Sequence, residues 1–123
     1  MESLIAVAEG DFLFDVEALV AEAEVIWPPS KFARHTGERA ASGYGQLQLP
    51  DEHGGDLLLV NILAGGDGLL LERSLVTAAE FVAWLTRRDD FPDSGVVATD
   101  WALEVMPLRR GMSVEELVAA YDQ

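Results

Sequence analysis

Apolar residues recur along this chain with two different periods, and the changes of period mark its elements. Val16, Leu19, Val20, Ala23 and Trp27 fall three or four apart, which predicts an amphipathic helix with Glu17, Glu22 and Glu24 turned to water. Asp15 stands at its N-cap position, and Pro28-Pro29 stops it, because proline lacks the amide donor and restricts the residue before it. From Tyr44 the period drops to two: Tyr44, Gln46 and Gln48 alternate with Gly45, Leu47 and Leu49, as in a half-exposed strand. Leu57 to Leu63 is apolar on both faces and reads as a central strand covered on both sides. Leu69 to Ser74 reads as the next strand, so two Gly-rich turns join three strands into an antiparallel meander.

The remaining segments follow the same logic. Ser3 to Ala8 is a short apolar run that reads as a strand. Thr77 and Glu80 match a capping box before a helix with Ala78, Phe81, Val82 and Leu85 on one face, and Arg87 and Arg88 at its end suit the helix dipole. Ser113 and Glu116 form a second capping box, opening a helix with Val114, Leu117, Val118 and Tyr121 inward. Between these helices, residues 96–108 alternate as one or two strand segments, though a helix remains open there. The order β-α-β-β-β-α-β-α predicts an α+β fold. It is a single two-layer domain over residues 1–123, with an antiparallel sheet of about five strands and three helices. Residues 28–43 show no firm period and read as a long internal loop, a length often tied to function.

Charge narrows the choice of function. The net charge is −14 over 123 residues. Binding to nucleic acid is opposed, because it needs clustered Lys and Arg, and an anionic membrane surface is opposed too. The chain has no cysteine, which rules out disulfides, thiolate nucleophiles and Cys-type zinc sites. The first 30 residues contain no Lys or Arg, the reverse of a secretion signal, and no apolar run is long enough to span a membrane; the expected location is cytoplasmic. Bases are confined to small islands. Residues 27–45 hold Lys31, Arg34 and Arg39 against Glu38 alone, together with His35.

Motifs for chemistry are sparse. Gly65-Gly-Asp-Gly68 lies between two strands without the spacing of a phosphate or dinucleotide loop, so its glycines serve a hairpin. Asp51, Glu52, His53 and Asp56 gather in one loop but lack the alternating ligands of a calcium loop; no metal and no cofactor is expected. There is no G-x-S-x-G elbow and no H-x-x-x-H pair, and the adjacent acids Asp89-Asp90 and Glu115-Glu116 sit after or at the start of helices. No catalytic residue is assigned, and the balance leans away from an enzyme.

Three readings follow. The first is an acidic interaction domain, in concrete form an inhibitor or immunity protein covering a basic toxin, with Glu17, Glu22, Glu24, Asp51, Asp56, Asp89 and Asp90 meeting the partner's cations. The second is a domain or enzyme for an anionic small molecule held by Arg34, His35, Arg39 and Tyr44 in the 28–43 loop. The third is a self-associating subunit, a homodimer joined through apolar strand faces.

Overall fold

The computed structural model describes residues 2–28, 30–36, 43–50, 57–73, 75–99 and 104–121. Its elements run β1 (Glu2–Val7), α1 (Val16–Ile26), β2 (Lys31–Arg34), β3 (Gly45–Leu49), β4 (Leu58–Ile62), β5 (Gly68–Arg73), α2 (Leu75–Arg87), β6 (Val96–Thr99), β7 (Val105–Pro107) and α3 (Val114–Tyr121). The strands form one antiparallel sheet in the order β2-β3-β4-β5-β1-β6-β7. The α+β class stands, with seven strands among the described residues rather than about five. The two extra strands are β2 and the division of residues 96–107 into β6 and β7, neither a helix.

Strand β2 corrects the expectation of a continuous 28–43 loop. Lys31 to Arg34 pairs with β3, Phe32 lying opposite Leu47 and Arg34 opposite Gly45. Gly45 is needed for this approach: a Cβ there would stand 2.7 Å from both the Ala33 carbonyl oxygen and Phe32 Cζ. The meander β3-β4-β5 is as expected, and Gly66 in its second turn has a φ of +72°.

One face of the sheet carries Ile5, Leu47, Leu49, Leu58, Val60, Ile62, Leu69, Leu71, Val96 and Ala98, all buried in a single core with the inner faces of the helices. Burying a leucine here contributes on the order of 2 kcal/mol. The opposite face explains the doubly apolar look of β4. Leu59 and Asn61 point away from the core and are only half-buried, beside Leu4, Leu70 and Val97. No described helix packs there, so β4 is covered by helices on one side, not both. A row of amides crosses this face: Gln46 donates to Asn61 at 2.9 Å and Gln48 donates to Gln46 at 3.1 Å.

Helix ends follow their caps with one exception. The Asp15 carboxylate accepts from the Ala18 amide at 3.2 Å. Ser113 Oγ accepts from the Glu116 amide at 3.1 Å, and the Glu116 carboxylate lies 3.5 Å from the Ser113 amide, closing the box. Thr77 is not a cap. Helix α2 begins at Leu75, so Thr77 is buried within its first turns beside Ala78 and Phe81. Thr86, also buried, accepts from the Met112 amide at 3.2 Å and donates to the Ala83 carbonyl at 2.9 Å, tying the turn before α3 to the end of α2. No helix among the described residues is long and apolar enough to cross a membrane.

Candidate functional site

Helix α1 sits between two charged regions. Its apolar stripe, Val16, Leu19, Val20 and Ala23, faces the core. Helical spacing then puts Asp15, Ala18 and Glu22 on one flank and Glu17 and Glu24 on the other.

The first flank forms one wall of an open cleft of about 330 Å³. Its other wall is the end of α2 and the turn after it, Arg87 to Asp90. An aromatic platform fixes the distance between the walls. Trp27 packs edge-on against Trp84 with ring centroids 5.3 Å apart, and Phe81 lies 6.0 Å from Trp27 and 5.4 Å from Trp84. The Arg88 guanidinium stacks over Trp84 at 5.3 Å. It donates to Glu22 at 2.5 Å and to Asp90 at 3.2 Å, while Trp84 Nε1 donates to Glu22 at 3.3 Å. Arg88 is thereby pinned, its side chain 10% exposed, whereas Glu22 and Asp90 remain 50% and 45% exposed. Asp15, Glu22, Asp89 and Asp90 line the cleft against Arg87 and Arg88, leaving carboxylates in excess.

The second flank meets the edge strand. Glu17 Oε1 accepts from Tyr44 Oη at 2.7 Å and from Arg34 Nη2. Arg34 Nη1 donates to Tyr44 Oη at 3.1 Å, and the guanidinium lies 4.9 Å from the Tyr44 ring centroid and 5.9 Å from that of Phe32. The hydrogen bonds from Arg34 and then Tyr44 hold the Glu17 carboxyl below its ordinary range, and Glu17 raises Arg34 in turn. His35 Nδ1 lies 3.2 Å from the Gly43 carbonyl oxygen, so the proton on that nitrogen is the donor. Arg34, His35, Tyr44 and Ala64 line a cavity of about 150 Å³.

The residues expected at sites therefore separate into groups. Glu22, Asp89 and Asp90 come together in the cleft. Glu17 does not join them, because it is bound at the opposite flank, and Glu24 is exposed on that same flank. Arg34, His35 and Tyr44 do meet around one cavity, but Arg34 and Tyr44 bind the Glu17 carboxylate of this chain rather than forming a bare positive site. Asp51, Asp56 and Arg39 lie outside the described residues, as does the loop containing His53. Among the described residues no group of three or more His, Asp or Glu is placed to hold a metal ion.

Sequence reasoning did not single out Asp15 as a cleft wall or Arg88 as its floor. Asp15 carried a visible cap signal that masked a second role. The Glu22–Arg88 pair spans 66 positions, and no local pattern announces it. Comparison of the chain with protein-family models, curated proteins and solved structures gives no match.

Proposed function

We propose that this protein is a small interaction domain that binds a basic protein partner, with the cleft between α1 and the end of α2 as the docking point. The observation that carries this reading is the cleft's charge imbalance. Asp15, Glu22, Asp89 and Asp90, drawn from two distant parts of the chain, converge on one concavity whose Arg88 is already engaged. A Lys or Arg side chain from a partner would find partly exposed carboxylates there, and the net charge of −14 would speed its approach. The concrete form is an inhibitor or immunity-type protein covering a basic surface of a toxin.

Affinity capture tests this. The immobilised chain is exposed to lysate at low and at moderate salt, and the retained proteins are identified and titrated individually. The expected result is a saturable complex with a protein of high isoelectric point that weakens as salt rises. Retention of no basic protein, or a complex indifferent to salt, would overturn the reading.

A further inference from the structure

We infer that Arg34 and Tyr44 form an exchangeable carboxylate site, occupied by Glu17 in the free protein, that accepts a small monocarboxylate with a short apolar tail. This goes beyond the partner-binding reading and uses the other flank of α1.

The recognition geometry is already built. A guanidinium N–H and a phenol O–H converge on a single carboxylate oxygen, and the guanidinium carbon lies over the phenol ring, 4.9 Å from its centroid. Planar Arg donors stacked on an aromatic ring are oriented before a ligand arrives, so little rotamer freedom is lost on binding. Among the described residues, these two donors hold the resident carboxylate. Glu17 is 66% exposed and Arg34 50% exposed, and an exposed pair of this kind is weak. Displacing Glu17 therefore carries a small penalty, and the freed side chain returns to water.

The surroundings define the ligand. The cavity bounded by Arg34, His35, Tyr44 and Ala64 is about 150 Å³, room for a carboxylate head and a few atoms. A second concavity of about 260 Å³ shares Tyr44 and Ala64, is also lined by Glu17, and continues past Leu13, Phe14 and Asp15. Leu13 is 60% exposed at its lip. An anionic head at Arg34 would thus have an apolar wall beside it for a short alkyl tail. The acidic character of the whole chain opposes any anion, which keeps affinity low and selects for a ligand with a single charge.

The test is a titration followed by NMR of the Arg34 side-chain N–H and the Tyr44 ring, at pH 7 and constant ionic strength. The probes are sodium acetate, sodium hexanoate and sodium chloride. Both carboxylates are expected to shift Arg34, His35, Tyr44 and Ala64, with hexanoate about threefold to tenfold tighter than acetate through its added methylenes. Removing the internal competitor with Glu17→Ala should tighten hexanoate about twofold to fivefold. Arg34→Gln should abolish the response, and Tyr44→Phe, which keeps the ring and loses one donor, should weaken it. The amide shifts of β2 and β3 serve to show that these variants keep the strand pairing. The inference is overturned if chloride reproduces the shifts, if Glu17→Ala binds no more tightly than the parent, or if Tyr44→Phe with intact strands binds as the parent does.

Discussion

The two flanks of α1 use the same residue types to opposite ends. At the corner by β2, one carboxylate meets one guanidinium and one phenol, and the charges cancel within the chain. In the cleft, four carboxylates face two arginines, and the one that is pinned serves both Glu22 and Asp90. An island of basic residues in an acidic sequence is therefore not an open positive site. Arg34, one of three cations in residues 27–45, already holds a carboxylate of its own chain in the free protein. The unbalanced region joins Glu22 to Asp89 and Asp90, acids that the sequence offers as candidates but does not show to be neighbours.

Phe81 supports the aromatic platform below the cleft and is fully buried. Phe81→Ala should cost about 3–5 kcal/mol, read as a lower denaturant midpoint, and should disturb the cleft along with the domain. A sharper variant is Asp89→Lys with Asp90→Lys. It should weaken a captured basic partner about 10- to 100-fold, while Glu9→Lys with Glu24→Lys, equal in charge change but outside the cleft, should weaken it about threefold or less.

Smaller effects separate the two arginines. Arg88→Met should destabilise by about 1–2 kcal/mol, a figure discounted because Glu22 and Asp90 are half-exposed, and should change Trp84 fluorescence. Arg34→Met, at an exposed position, should leave the melting temperature almost unchanged.

The smallest effect is the pH dependence of the corner. Because Arg34 and Tyr44 hold the folded-state Glu17 below its ordinary range, the unfolded chain binds more protons near that range. The contribution of Glu17 is therefore present above about pH 4.3 and is lost as pH falls through the lower folded value. A melting series taken downward from pH 7 should show the gap between the parent and Glu17→Gln narrowing once pH falls below about 4.3. A gap that does not narrow with falling pH would mean that Glu17 acts through packing instead.

How much of this was legible depends on how local each feature is. Helix α1, the β3-β4-β5 meander and the Ser113–Glu116 box rest on neighbouring residues, and all form as read. The Thr77–Glu80 match misled because the same spacing occurs inside a helix, where Thr77 occupies a buried position. Strand β2 was hidden because four residues with one large apolar side chain show no period; its existence depends on Gly45 admitting Phe32. The half-covered face of β4 was misread because leucine tolerates a half-buried position on an open sheet, so an unbroken apolar run does not imply two covered faces. The cleft is least local of all. It exists only because the Trp27–Phe81–Trp84 platform brings the end of α2 beside α1.

The most direct test of the central claim is a titration of the captured basic partner against three proteins at one salt concentration. These are the parent chain, the Asp89→Lys/Asp90→Lys variant and the Glu9→Lys/Glu24→Lys variant. A saturable complex is expected for the parent, a loss of at least about tenfold for the cleft variant and near-parent affinity for the other. Equal weakening by both pairs of substitutions would contradict that claim, since the partner would then be reading net charge and not the cleft.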